Sequence, residues 1–163
     1  MPRHLSAGLT GVLMAGLLAG LPIGAGAPAL AADSARTVEL ADPKPDWDNP
    51  RRIVLQVTDP DPKRFEGAMS NAINLQKFYG VDHVEVAIVT FAGGVRHLMK
   101  ASATAPERIQ SLRDYGVTFV ACGNTLDTIG ASEADLVEGI AVVQTGIAEI
   151  VERQLRGWTT IIP

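Results

Sequence analysis

Between residues 53 and 162, short β-branched apolar runs alternate with segments whose apolar residues recur at helical spacing. This alternation is the strongest constraint in the chain. Ile53-Val54-Leu55-Gln56-Val57 is nearly continuous in apolar character, the pattern of a strand covered on both faces. Asp59-Pro60-Asp61-Pro62 then reads as a turn into a helix, with Asp61 as cap and Pro62 in the first turn. Phe65, Met69, Ala72, Ile73 and Gln76 follow at helical spacing, and Gly80 stands where such helices end. Val84 to Phe91 reads as a second strand, Val117 to Ala121 as a third, Ile140 to Val143 as a fourth and Trp158 to Ile162 as a fifth. Between them lie a short helix at 95–100, a helix opened by a capping box at Thr104 and Glu107 and ended by Gly116, short helical turns at 126–129 and 132–137, and a last helix through Ile147, Ile150, Val151 and Leu155. Strand and helix in alternation imply right-handed crossovers. The expected fold is therefore α/β, three layers (α/β/α) around a mainly parallel five-stranded sheet.

Composition narrows the function classes. Aromatic residues make up 5% of the 163, so the core has to be mostly aliphatic. The net charge of −4, with no basic cluster beyond Arg51-Arg52, argues against a nucleic-acid or anionic-membrane binder. The first thirty residues differ from the rest: a basic start at Arg3, no charge from Leu5 to Leu30, and a small-x-small site at Ala29-Leu30-Ala31. These are the parts of a cleavable export signal, expected over 1–31. A retained anchor is the alternative, since the stretch is long enough to span a bilayer. Its six glycines before Ala27 and two prolines favour cleavage and no stable membrane insertion afterwards. Residues 32–50, rich in proline and charge, read as a linker on which Trp47 alone invites docking. The expected site of action is periplasmic or secreted.

Cys122 is the only cysteine. In an exported chain it has three fates: buried and inert, joined to another chain, or a free reactive thiol. Ligands of open parallel sheets bind at the carboxyl ends of strands. Three loops leave from such ends: Thr58 to Asp61, Ala92-Gly93-Gly94, and Cys122-Gly123-Asn124-Thr125. Cys122 thus stands at a strand end and a helix start, where unpartnered amides and the helix dipole stabilise a thiolate. Gly123 permits close approach, the Thr125 hydroxyl is placed to donate to the sulfur, and Gly123, Asn124 and Thr125 together would form an anion-stabilising nest. The competing reading is that the cysteine only fills space. His97 lies within reach of the same loops and has the chemistry for proton transfer; an exposed loop histidine is the plainer account. Asp59 and Asp61 suit a hard cation or, more simply, a capping turn. Gly93 and Gly94 offer free amides to an anion without a fuller fingerprint. No metal site is expected, since Cys122 and His97 alone make a poor zinc set. No other cofactor is implied.

Phe119-Val120-Ala121-Cys122-Gly123-Asn124-Thr125 resembles the cysteine motif of the DsrE/DsrF-like proteins. Val54-Leu55-Gln56-Val57 with Asp59-Pro60, and Asn71-Ala72 with Asn74-Leu75, resemble an often-exported branch of that family. The likeness covers roughly residues 51–163. It implies a three-layer α/β/α domain, assembly as a trimer or larger ring, and a cysteine at position 122 that accepts sulfur and passes it on. Gly123, Asn124 and Thr125, with Gly93, Gly94, Asp59 and His97 as wall residues, would hold the small sulfur donor or the acceptor thiol. The best-understood members act in cytoplasmic relays, so an exported member implies different donors and acceptors. The contrasting expectation is a non-catalytic domain for small anions or assembly, in which the cysteine is incidental.

Overall fold

The computed structural model describes residues 38–163; the expected signal over 1–31 lies outside them. The chain divides into two units, Met1–Leu40 and Ala41–Pro163. Of the first, residues 38–40 are described and have no regular structure. The second begins with an irregular segment that is nonetheless tied down: Arg51 Nη2 donates to the Ala41 carbonyl at 2.6 Å. Trp47 does not dock, and is 72% exposed.

Five strands form one all-parallel sheet: β1 (Arg51–Val57), β2 (Val84–Thr90), β3 (Thr118–Cys122), β4 (Ala141–Val143) and β5 (Thr159–Ile161). Their order in space is β4-β3-β2-β1-β5. Among the described residues the four α-helices are α1 (Pro62–Tyr79), α2 (Pro106–Asp114), α3 (Gly123–Ile129) and α4 (Gly146–Leu155). The order explains the layers. From β1 to β4 the chain steps steadily in one direction, so right-handed crossovers put α1, α2 and α3 on one face. After β4 the chain returns across the whole sheet to β5, and the same handedness puts α4 on the other face. The larger core, with Leu55, Phe65, Ile88 and Phe119 fully or almost fully buried, lies under α1 and α2. The smaller one, Val54, Ala87, Val89 and Val120 under Ile150, lies beneath α4.

Local chemistry sets the element ends. The Asp61 carboxylate accepts from the Lys63 amide at 2.9 Å, and Gly80, at φ 92°, closes α1 with its N–H on the Gln76 carbonyl. Phe65, Ala68, Met69 and Ala72 form the buried stripe of α1 at helical spacing. Two expectations differ. Residues Ala92–Leu98 form a 3₁₀ segment, starting earlier than the short helix expected there. At α2 the Thr104 capping box is absent: Ala105 is the cap residue, in the left-handed region at φ 49°, with no side-chain cap bond. The reason is competition, because the Thr104 hydroxyl is bonded to His97 instead.

Candidate functional site

Cys122 ends β3 and is the residue before the first turn of α3. The chain turns tightly here, because Gly123 lies against the end of β4. A Cβ on Gly123 would sit 3.2 Å from the Val143 carbonyl oxygen. The Asn124 amide donates to the Gln144 carbonyl at 3.0 Å, and its side-chain amide donates to Thr145 Oγ1 at 3.0 Å. These bonds fasten the β3–α3 turn to the β4–α4 turn. Thr125 Oγ1 accepts from the Ala92 amide at 3.2 Å, which fastens the same turn to the loop after β2. Ala92 is held at φ 48°, a conformation costly for a non-glycine residue and concentrated at functional sites. Three carboxyl-end loops therefore meet around one sulfur.

The electrostatics of that sulfur follow. Cys122 is 5% exposed, just under the surface. Burial raises the thiol pKa, but four donors oppose it: the Thr125 hydroxyl first, then the amides of Gly146, Thr125 and Asn124. Together they outweigh burial and hold the thiol below its ordinary value. When protonated, the thiol makes only a weak contact to the Gln144 carbonyl, at 3.9 Å. The arrangement favours an anionic sulfur.

The remaining residues singled out from the sequence fall elsewhere. His97 is not an exposed loop residue; it is 2% exposed and stacked on Phe65 with ring centroids 4.8 Å apart. Its Nε2 lies 2.9 Å from the Asp59 carbonyl oxygen, which only accepts, so Nε2 carries the proton. Nδ1 then accepts from the Thr104 hydroxyl at 2.9 Å. Both nitrogens are spent on holding loops together. His97→Ala is accordingly expected to cost about 3 kcal/mol in denaturant unfolding, by opening a cavity beside Phe65 and stranding two polar partners. Gly94 donates its amide to the Phe91 carbonyl at 3.1 Å. A Cβ on Gly93 would come 2.8 Å from Pro60 Cδ, so both glycines serve close packing against the end of β1. The Asp59 carboxylate accepts from the Asp61 amide at 2.8 Å, a capping turn.

Sequence reasoning missed Phe91, Gln144 and Gly146. Gly146 is the most informative, since a Cβ there would lie 3.2 Å from Cys122 Cβ and 3.3 Å from Phe91 Cβ. A side chain here would have to push both neighbours back by a few tenths of an ångström, so glycine suits the close approach of this amide to the sulfur. The same strand-end rule that drew attention to the first three loops, applied to β4, leads to it.

Residues 52–163 match the DsrE/DsrF-like family. The chain belongs to this family. Among solved structures it is similar to a protein of unknown function from Methanobacterium thermoautotrophicum, at 34% identity and a TM-score of 0.66, over 69% of this chain and 99% of that one. A conserved protein of unknown function from Bacteroides thetaiotaomicron, 16% identical with a TM-score of 0.55, shares the fold over 69% of this chain and 94% of its own. So does the ychN protein of E. coli, at 14% identity, a TM-score of 0.55, and the same 69% against 97% of that chain. No curated protein matches. Among the described residues no helix is long and apolar enough to cross a membrane.

Proposed function

We propose that this protein handles sulfur outside the cytoplasm, with Cys122 as a persulfide carrier. The observation that carries the reading is the ring of donors around Cys122 Sγ, which lowers the pKa of the only thiol in the chain. Membership of the DsrE/DsrF-like family supports a sulfur-related role, and the charge-free stretch from Leu5 to Leu30 supports export to the periplasm or medium. The chemistry is simple. The Cys122 thiolate attacks the sulfane sulfur of thiosulfate; the S–S bond breaks and sulfite departs with the electron pair. The cysteine keeps a persulfide anion, which the Thr125 hydroxyl and the neighbouring amides are placed to stabilise. An acceptor thiolate then attacks the outer sulfur, and Cys122 leaves as thiolate. No net oxidant is needed.

In this reading the protein works as a homo-oligomer, a trimer or a multiple of it. The apolar row Ile147, Val151 and Leu155 on the outer side of α4, 47–77% exposed, is the surface available for those contacts. The second reading is a non-catalytic domain with an incidental cysteine, and the 5% exposure of Cys122 is what favours it. Intact mass separates the two. Exposed to thiosulfate or polysulfide, the wild type should gain the mass of one sulfur and lose it to reductant, and Cys122→Ser should gain none. A folded wild type that never acquires an adduct would reverse the order of the readings.

A further inference from the structure

The strand order β4-β3-β2-β1-β5 sets β1 beside the edge strand β5, with their carboxyl ends on the same side. The chain leaves β1 towards α1, and Ile162 and Pro163 follow β5. In open α/β sheets ligands sit outside the carboxyl ends of the strands. A crevice of about 220 Å³ opens at this place, lined by Gln56, Thr58, Asp59, Arg64, Ile162 and Pro163. Cys122 ends β3, two strands from β1, and so lies roughly 10 Å along the sheet at the usual strand spacing. The crevice is thus a separate place on the same edge.

Its charges are paired in number but not in contact. Arg64, in the first turn of α1, makes no ion pair or side-chain hydrogen bond to another described residue. Asp59 uses one carboxylate oxygen for the Asp61 amide and keeps the other. A free guanidinium fork takes a carboxylate through two parallel bonds, and a free carboxylate oxygen takes an ammonium. The volume is below the roughly 300–1,000 Å³ of pockets for drug-sized ligands, which favours something of amino-acid size over a nucleotide. We propose that the β1/β5 crevice binds a small free amino acid, its carboxylate on Arg64 and its ammonium facing Asp59.

Titration of the full chain with L-serine, followed by amide chemical shifts, tests this. Saturable shifts are expected at Gln56, Thr58 and Arg64. Acetate and methylamine, each carrying half of the ligand, should bind at least about tenfold more weakly, the worth of one hydrogen bond to a charged group. Arg64→Gln, at an exposed position, should keep the folded spectrum and weaken serine about tenfold. Cys122→Ser should bind serine as the wild type does, whatever its fate with sulfur donors. The proposal falls if serine produces no saturable shifts at these amides, or if Arg64→Gln binds it unchanged. It also falls if acetate binds as well as serine, which would mark a simple anion site, or if Cys122→Ser abolishes binding.

Discussion

Gly94→Ala is expected to destabilise the fold by about 3 kcal/mol, near the upper end for an overpacked site. The added Cβ would run into the Val57 carbonyl oxygen, and would lie 2.8 Å from the Val57 carbon and 3.2 Å from the Thr58 nitrogen. These are backbone atoms at the end of β1, which is hydrogen-bonded on both sides, to β2 and β5. They have no rotamer to change, so the 3₁₀ segment would have to lift away. That segment carries His97 and starts at Ala92, whose amide holds Thr125. The loss should therefore appear twice, as a lower urea midpoint and as weaker protection of Cys122 from alkylation. Gly67→Ala supplies the contrast, since nothing lies within 4 Å of its added Cβ and alanine is the better helix former. It should stabilise by up to about 1 kcal/mol. Equal midpoints for Gly94→Ala and the wild type would mean that the close approach of the two backbones is wrong.

Thr125→Val should have the largest effect on the thiol itself. In the wild type, the pH at which Cys122 reaches half its maximal alkylation rate should lie below that of the urea-unfolded chain, which should fall near the ordinary thiol value of about 8.5. Valine keeps the shape and removes the leading donor to the sulfur. The half-maximum should move up towards the unfolded value, and alkylation at neutral pH should slow several-fold. The same linkage appears in stability. A thiol whose pKa is lower folded than unfolded stabilises the fold fully above the unfolded value. That contribution is lost as pH falls through the folded value. The stability of wild type over Cys122→Ser should accordingly rise with pH across this window, and Thr125→Val should narrow the rise. A half-maximum unmoved by Thr125→Val would show that the amides of Gly146, Thr125 and Asn124 suffice.

The fold was legible because its signals are local. β-branched runs such as Val84 to Val89 and the caps at Asp61 and Gly80 act through nearest neighbours, and they place elements to within a few residues. The site was half legible. Cys122 and Thr125 are three residues apart at a strand end, so their proximity follows from one turn of chain. Where a local pattern met a distant partner, the reading failed. Thr104 has the sequence of a helix cap, yet His97 takes its hydroxyl. His97 has the sequence of a loop residue, yet Phe65 and Asp59, from α1 and the β1 turn, draw it into the core.

The sequence by itself determined the class of fold, the order of its elements and the single cysteine at the carboxyl edge. Those depend on periodicity, turn chemistry and composition, all carried by short stretches of chain. Tertiary structure alone decided the strand order, with its crevice between β1 and β5. It also decided the approach of Gly146 to Cys122 from 24 residues away and the burial of His97. Those depend on which segments meet. Such meetings are set by the hand of each crossover and by whether a side chain such as a Cβ at position 94 or 146 would leave room for them.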